Sequence, residues 1–173
     1  GLRPVVELMT INFSLLAMDQ IVNHAAKIHY MFNGQFTVPI VIRTASGWGQ
    51  LGATHSQTFE AWYAHVPGLR VVMPATPKDA KGFLKSAIRS DDPVMFIEHS
   101  LIYRNRGEVP EGEYLLPLEG AEVRREGTDV TIVSWSRGYY LAMGAAEELA
   151  REGIEAEVID MRVLRPLDTD TVV

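Results

Sequence analysis

The chain has 173 residues, 47% of them hydrophobic, with a formal net charge of −6, five histidines and no cysteine. This length and composition fit a soluble globular protein of one domain, or one domain plus part of another. The acidic balance and the lack of a Lys/Arg run argue against nucleic acid as the main partner. No apolar run approaches the ~20 residues of a membrane span. Without cysteine, disulfides, thiolate catalysis and cysteine-based metal sites are excluded.

Apolar runs and helical patterns alternate over the first hundred residues. Val5–Leu8 predicts a short buried strand, and the spacing of apolar residues from Phe13 to about Tyr30 predicts a helix. Thr76 followed by Pro77 is typical of a helix start, with threonine as the cap and proline at the first helical position. Further strands are predicted at 39–42, 69–73 and 93–97, and helices at 58–65 and 76–89.

The character of the chain changes between residues 101 and 117, which are polar, acidic and rich in turn formers. A second unit follows, with predicted strands at 130–134 and 156–160 and a helix at 139–152 that Gly153 ends. A further helix is predicted to open after Asp168. We therefore expect a first domain at 1–100, a linker at 101–117 and the start of a second, truncated domain at 118–173.

Strands that alternate with helices predict an α/β fold with a parallel sheet covered on both faces. In such sheets ligands bind at the carboxyl ends of the strands. The loops after Leu8 and Arg43 are therefore the places to look, and they lead to Phe13 and His55. An aromatic at Phe13 could pack on a flat heterocycle, although a core aromatic at a helix start is the commoner reason for such a residue.

A glycine-rich loop, Gly47–Gly52, leads into His55. Glycines let the backbone approach a ligand closely, and a histidine can give or take a proton near neutral pH. A surface turn with an incidental histidine is the alternative. The glycine spacing also matches the letters of a dinucleotide fingerprint, but no helix opens directly after Gly52, so a nucleotide site is not favoured. His65 is interpreted as a packing or hydrogen-bonding residue, because it lies beyond the short helix, and His24, His29 and His99 as structural or exposed.

The sequence does not favour a metal site or a serine hydrolase site. The histidines and carboxylates show no spacing of a metal triad or of an HExxH helix, and no Gly-x-Ser-x-Gly elbow is present.

Several longer motifs together resemble the β subunit of the E1 component of 2-oxoacid dehydrogenase complexes, most closely the pyruvate dehydrogenase type. The resemblance runs from Gly1 to Val173 and rests on these segments: Asn12-Phe13-Ser14, Asp19-Gln20, His55-Ser56-Gln57, Ala61-Trp62-Tyr63, His65-Val66-Pro67-Gly68-Leu69 and Asp79-Ala80-Lys81-Gly82. It implies a thiamin-pyrimidine-binding domain followed by a transketolase-type C-terminal domain.

In that family, thiamin diphosphate lies between two subunits: the α partner holds the diphosphate and Mg²⁺, and β holds the pyrimidine. By resemblance, Phe13 packs on the pyrimidine, and Leu16 stands near the cofactor where many relatives carry glutamine. His55 would face the substrate and the lipoyl group. The backbone carbonyls of Ile40, Ala87 and Asp92 fall where relatives bind a structural monovalent cation such as K⁺.

The implied reaction is oxidative decarboxylation of pyruvate with acyl transfer to a lipoyl-bearing E2, in an α2β2 heterotetramer. The cofactor would supply the electron sink and the protein the orientation. The family's activating glutamate is expected upstream of Gly1, and Glu7 is expected to be structural rather than its equivalent. The segment alone is therefore expected to be inactive. No targeting peptide is visible, and the expected compartment is the cytoplasm in a bacterium, or the mitochondrial matrix or a plastid in a eukaryote.

Alternatives remain open at this stage. Branched-chain 2-oxoacid and acetoin dehydrogenase β subunits share these motifs. A stand-alone thiamin enzyme such as a transketolase or deoxyxylulose-phosphate synthase would need a diphosphate-binding Gly-Asp-Gly…Asn motif, which this sequence lacks. A non-catalytic assembly module is the third possibility.

Overall fold

A computed structural model describes residues 1–49 and 51–173, and it contains two α/β units, each built on its own sheet. The five-stranded sheet of the first unit has the order β1-β2-β4-β3-β8, and the three-stranded sheet of the second has the order β5-β7-β6. In the described residues no helix is both long and apolar enough to cross a membrane. The α/β class expected from the sequence is confirmed.

The first sheet is parallel over its first four strands, as predicted. Its strands are β1 (Val5–Leu8), β2 (Val41–Ser46), β3 (Arg70–Val72) and β4 (Val94–His99). The prediction that β1 is buried was wrong, because β1 is an edge strand and Val5 and Val6 remain partly exposed. Glu7 on β1 pairs with Arg43 at 2.7 Å, which is the structural role expected for it.

The segment between β1 and β2 is helical but not one regular helix, which corrects the prediction for 13–30. It is divided into a 3-10 helix (Ile11–Ala17), a π-helical turn (Gln20–Ala25) and α1 (Ile28–Met31). The Ser14 hydroxyl donates to the Ile11 carbonyl at 2.7 Å, and such local bonds from serine compete with the regular helical pattern. The 3-10 helix, where the segment departs from α geometry, contacts β1 and β2.

Two helices complete the first unit: α2 (Glu60–Ala64) and α3 (Pro77–Arg89). The start of α3 is as predicted, since Thr76 accepts a hydrogen bond from the Asp79 amide at 3.2 Å and Pro77 occupies the first turn. Apolar residues pack on both faces of the sheet. On one face Ile42, Met95 and Ile97 meet the residues around α2, and on the other Val41, Phe96 and Val94 meet α3.

Residues 101–117 form no regular element after the short 3-10 helix Ser100–Ile102, as expected of a connection. They nevertheless lie against α3. The Tyr114 hydroxyl donates to the Lys78 carbonyl at 2.7 Å, and Lys81 donates to the Pro110 carbonyl at 2.8 Å. A Cβ at Gly82 would come within 2.7 Å of Leu116. This segment is therefore a fixed strap rather than a free linker.

The second unit contains β5 (Glu122–Arg125), β6 (Val130–Ser134), α4 (Arg137–Arg151) and β7 (Ala156–Asp160). Strands β6 and β7 are parallel, whereas β5 pairs with β7 in the antiparallel sense. Gly153 follows α4 with φ +82°, as predicted for the glycine that ends the helix. The chain then forms β8 (Val163–Arg165) and α5 (Thr169–Val172), which Asp168 caps.

The sequence did not predict β8, and this strand leaves the second unit to join the first sheet. It pairs antiparallel with β3, with Val72 opposite Val163, and the Met73 amide donates to the Arg162 carbonyl at 2.8 Å. The first sheet is therefore mixed rather than purely parallel. Because β8 pairs along β3, the second unit is hydrogen-bonded to the first.

A buried ionic cluster joins the two units beside β8. Arg124 contacts Asp79 of α3 and lies 3.1 Å from Asp160 of β7, while Arg162 lies 2.5 Å from Glu122. Asp79 and Asp160 are both fully buried, and one carboxylate oxygen of each has no hydrogen-bond partner in the described part of the chain. Burial raises the pKa of Asp160 to about 6, although Arg124 opposes this shift.

Replacing Asp160 should therefore alter how stability depends on pH. The folded protein holds the Asp160 proton more tightly than the unfolded chain, so this residue favours folding most below the ordinary pKa of 3.8, and that contribution is lost as pH rises through about 6. The free energy of unfolding of Asp160→Asn, minus that of the parent protein, should therefore rise as pH is raised from 4 to 8. We expect a rise of at most about 3 kcal/mol. Urea unfolding at a series of pH values measures this.

The control for this experiment is Asp91→Asn, since Asp91 is exposed and pairs with Arg3 at the surface. The rise in stability expected for Asp160→Asn should be absent from Asp91→Asn, because an exposed side chain is not desolvated on folding. A flat difference for Asp160→Asn as well would contradict the argument from burial.

Candidate active site

Phe13 and His55 meet at the edge of the sheet where β1 and β2 end. The two strands run parallel and in register, from Val5 opposite Val41 to Leu8 opposite Thr44, so their following segments emerge side by side. The ring centroids of Phe13 and His55 lie 5.0 Å apart with the planes at 84°, an edge-to-face contact. Phe13 keeps 46% of its surface exposed and His55 is also exposed. The two residues singled out in the sequence thus lie together at one accessible edge.

The buried side chain of Asn12 connects the segment that carries Phe13 to the segment that carries His55. Its side-chain oxygen accepts a hydrogen bond from the Gln57 amide at 2.8 Å, and its amide group donates to the Thr10 hydroxyl at 2.7 Å. Asn12 is only 3% exposed, and a buried amide left without partners would be costly. Because Asn12 precedes Phe13 and Gln57 lies two residues after His55, this bond sets the spacing of the two rings.

A second hydrogen bond connects α2 to the 3-10 helix that carries Phe13. The Tyr63 hydroxyl donates to the Ser14 hydroxyl oxygen at 2.5 Å, and both side chains are fully buried. Burial raises the pKa of Tyr63, which keeps the phenol protonated as a donor. Neither Asn12 nor Tyr63 was singled out in the sequence as part of the site. The signal that could have indicated Asn12 is its place as a polar residue at the start of a helical segment, directly before Phe13.

The glycine-rich loop between β2 and His55 rests on His99. Gly47 has φ +76°, and a Cβ there would lie 2.3 Å from the His99 ring. The loop closes where the Leu51 amide donates to the Ser56 hydroxyl at 3.1 Å. Gln50, which falls within the loop, lies outside the described residues. A three-residue 3-10 helix (Ala53–His55) follows Gly52, so no α-helix opens directly after the loop, as the sequence indicated.

Leu16, the other residue predicted near a cofactor, lies on the same 3-10 helix as Phe13 but is 91% exposed. Within the described residues its side chain is thus open to another molecule. Its role stays a prediction.

The three residues predicted to hold a monovalent cation lie at the opposite end of the strands, where the strands begin. Ile40 and Asp92 precede β2 and β4, and Ala87 lies near the end of α3. The Ile40 carbonyl accepts from the Val94 amide at 2.9 Å, and the Ala87 carbonyl accepts from the Ser90 amide at 3.2 Å. Each carbonyl still has a second lone pair, so the cation site remains a prediction.

Within residues 1–49 and 51–173 no group of three histidine or acidic side chains is arranged to hold a metal. His65 is exposed at the end of α2, which does not favour packing, and its role as a packing or hydrogen-bonding residue stays a prediction. His24 and His29 are exposed, as expected. His99 is structural, since its ring supports Gly47, and burial together with the nearby Arg137 lowers its pKa.

The sequence matches two known domain families over almost its whole length. Residues 1–106 match the pyrimidine-binding domain of transketolase, and residues 119–173 match the transketolase C-terminal domain. The chain belongs to the transketolase family. The resemblance noted in the sequence is thus confirmed, and these boundaries lie close to the predicted divisions at 100 and 118.

Curated relatives are about 50% identical to this chain over the aligned segments. It is 50% identical to the pyruvate dehydrogenase E1 β subunit of Rhizobium meliloti, covering 100% of this chain and 38% of that protein. It is 50% identical to the β subunit of the acetoin:2,6-dichlorophenolindophenol oxidoreductase of Cupriavidus necator (99% and 51%). It is 46% identical to the 2-oxoisovalerate dehydrogenase β subunit of Bacillus subtilis (100% and 54%). The chain therefore spans about half or less of these relatives.

Among solved structures, the fold is similar to that of a split-gene transketolase described as an inactive β4 tetramer. The TM-score is 0.80 at 25% identity, over 98% of this chain and 52% of that one. This similarity supports the order of the two α/β units.

Removing the Asn12 side chain should loosen the site without removing Phe13 or His55. In Asn12→Ala the Gln57 amide loses its acceptor, and we expect a stability loss of about 1–3 kcal/mol in urea unfolding. The proton signals of the His55 ring should also shift in NMR spectra, because Phe13 no longer lies beside it. Asn23→Ala is the matched control, since Asn23 is exposed and bonds only to Asp19. Unchanged His55 signals in Asn12→Ala would contradict the proposed spacing role.

Proposed function

We propose that this chain is part of the β subunit of a thiamin-diphosphate-dependent 2-oxoacid dehydrogenase, the E1 component that decarboxylates pyruvate and passes the acyl group to lipoyl-E2. The observation that carries the proposal is the Phe13–His55 pair at the carboxyl edge of a parallel sheet. About 50% identity to E1 β subunits supports the same assignment. The expected compartment is the cytoplasm in a bacterium, or the mitochondrial matrix or a plastid in a eukaryote.

The residues at this edge fit a thiamin cofactor. Phe13 offers a half-exposed ring on which an aminopyrimidine can pack, and Asn12 holds that ring in place. When bound, thiamin diphosphate supplies the carbanion and the electron sink that decarboxylation of a 2-oxoacid requires. The Leu16 side chain, on the same helix, would lie at the rim of the cofactor site.

His55 is the group of this chain that can move a proton there. It is exposed at the site, its Nδ1 lies 3.1 Å from the Thr54 hydroxyl, and its ring is held edge-on by Phe13. Fixing one ring nitrogen beside a hydroxyl leaves Nε2 to serve the substrate or the lipoyl group. His55 is thus suited to hydrogen-bond or protonate an oxygen or sulfur atom of the reactants.

The α partner would complete the site. This chain presents an aromatic edge, whereas its described residues lack a cluster of acidic or histidine ligands for a metal. We infer that the α subunit contributes the diphosphate and Mg²⁺ ligands. Leu16, Met9 and Phe13 form an exposed apolar rim at the open site, which fits burial against that subunit in an α2β2 heterotetramer.

Pyruvate is the proposed substrate, with a branched-chain 2-oxoacid or acetoin as the alternative. The identities of this chain to relatives named for these activities differ by only a few per cent, from 46% to 50%. The alternative outside the enzymes is a non-catalytic assembly role. A turnover assay distinguishes the two.

The first test is turnover by the complete parent subunit co-expressed with its α partner. Decarboxylation with an artificial electron acceptor should require thiamin diphosphate and Mg²⁺ and should favour pyruvate over a branched-chain 2-oxoacid and acetoin. His55→Gln should lower kcat by about 10²–10⁴-fold, as expected when a general acid–base is lost. His65→Gln, which changes an exposed histidine at the end of α2, is the control and should keep the parent rate.

Preference for another of the three substrates would keep the enzyme class and change the substrate. No turnover with any of them by a soluble complex would favour the assembly role.

The 173-residue chain by itself should show no thiamin-dependent turnover. Its Phe13–His55 edge is open, and half of the proposed cofactor site belongs to the α partner. The related β4 tetramer of a split-gene transketolase is described as inactive, which supports this expectation. Measurable turnover by the purified chain, free of α subunit, would refute the shared site.

The carbonyls of Ile40, Ala87 and Asp92 remain a proposed site for K⁺. Their place at the amino edge of the sheet, away from Phe13 and His55, indicates a structural rather than a catalytic cation. Exchanging K⁺ for tetramethylammonium, which is too large for carbonyl ligation, should lower the melting temperature of the complex. An unchanged melting temperature would argue against a cation there.

A further inference from the structure

The loop that leads to His55 begins at Gly47, and the ring of His99 lies directly against that glycine. Strands β2 and β4 are parallel and in register as far as Ser46 opposite His99, so the residue after Ser46 emerges beside the ring. A Cβ on Gly47 would overlap the His99 ring, and Gly47 has φ +76°. Glycine is therefore the residue that lets the backbone pass over His99 in this conformation.

His99 is itself held in one orientation. Its Nδ1 accepts a hydrogen bond from the Leu101 amide at 3.3 Å, which caps the 3-10 helix Ser100–Ile102. Because Nδ1 accepts, the neutral ring carries its proton on Nε2. Burial and the nearby Arg137 lower the pKa of His99, so the ring is uncharged at neutral pH. The Gly47 backbone thus rests on a neutral ring that the end of β4 keeps in place.

The same ring lies between the loop and the second unit. His99 lines a cavity of about 410 Å³ together with Glu60 at the start of α2 and with Trp135 and Arg137 of the second unit. Arg137 is close enough to lower the pKa of His99, and it is the first residue of α4. His99 therefore connects the start of the loop at Gly47 to the position of the second unit.

The two ends of the loop are anchored by different side chains. At the far end the Gln57 amide donates to the side-chain oxygen of Asn12 at 2.8 Å, and at the near end Gly47 rests on His99. His55 is exposed and lies between these two anchors. Its place at the site therefore depends on both of them, because a segment fixed at one end only is free to move at the other.

We propose that His99 is a positioning residue for His55: its ring supports Gly47, and through the loop it holds His55 at the site. This role requires a ring at position 99 but neither a charge nor an acceptor. The expected effect on turnover rests on the proposed function, whereas the expected effect on the position of His55 does not.

The structural test changes the ring in two ways and reads the His55 ring signals in NMR spectra of the chain, assigned by comparison with His55→Gln. In His99→Ala the support is lost, and the His55 signals should shift or broaden. In His99→Phe a ring remains but the acceptor for the Leu101 amide is lost, so the signals should stay close to those of the parent protein. Signals displaced equally in both variants would show that the cap matters rather than the ring, and would overturn the proposal.

A double-mutant cycle tests the contact between Gly47 and His99. Gly47→Ala places a methyl group against the ring and should lower the melting temperature. In a His99→Ala background the ring is gone, so the same change should lower it much less. Gly112→Ala is the matched control, because Gly112 has φ +75° and among the described residues no atom lies within 4 Å of a Cβ there. Its effect should be equal in both backgrounds.

Additive losses of melting temperature for Gly47→Ala and His99→Ala would contradict the contact on which the proposal depends. The melting curves also verify that each variant is folded.

Turnover by the complete subunit with its α partner supplies the functional test. His99→Ala should lower kcat by about 10- to 100-fold, because a small displacement of an acid–base group is costly. The half-saturating concentration of thiamin diphosphate should stay near that of the parent complex, because Asn12 and Tyr63 still hold the segment that carries Phe13. His99→Phe should recover most of the lost kcat.

Two kinetic results would overturn the positioning role. One is an unchanged kcat in His99→Ala, and the other is a parallel loss of kcat and of cofactor affinity, which would indicate general damage to the site. If the parent complex shows no turnover, the proposed function fails, and the NMR and melting comparisons still decide whether His99 positions the loop.

Discussion

The parallel, in-register pairing of β1 with β2 is the constraint on which the candidate active site depends. Parallel strands present their carboxyl ends at one edge, so the segments that follow them must emerge together. Phe13 and His55 are 42 positions apart in the sequence and yet their rings touch. The bond from Asn12 to the Gln57 amide then converts this general proximity into a fixed geometry.

Polar side chains, rather than apolar packing alone, set the finer geometry of the molecule. Tyr63 and Ser14 form a buried bond beneath the site, and Arg124 lies between the carboxylates of Asp79 and Asp160 at the contact of the two units. Buried ionic groups of this kind add little net stability, because desolvation offsets their attraction. Their directionality nevertheless fixes how β8 and the second unit meet the first sheet.

The candidate site is exposed along one side, and this explains why the chain alone accounts for only part of the proposed function. Phe13, Leu16 and Met9 are left open by the fold. An enzyme whose cofactor lies between subunits would bury such residues on assembly. Family membership, the fold and the paired rings are consistent with one another, whereas relatives named for pyruvate, acetoin and 2-oxoisovalerate are similarly identical to this chain.

The sequence by itself determined the alternation of strands and helices, the start of α3 at Thr76, the glycine after α4, and both Phe13 and His55. These depend on local rules: strand periodicity, capping and the position of loops after strands. Only the tertiary structure decided that β1 is an exposed edge, that residues 11–31 depart from a regular helix and that β8 crosses to the other unit. It also decided that Asn12 and Tyr63 support the site. Each of these depends on a partner distant in sequence, which no local pattern specifies.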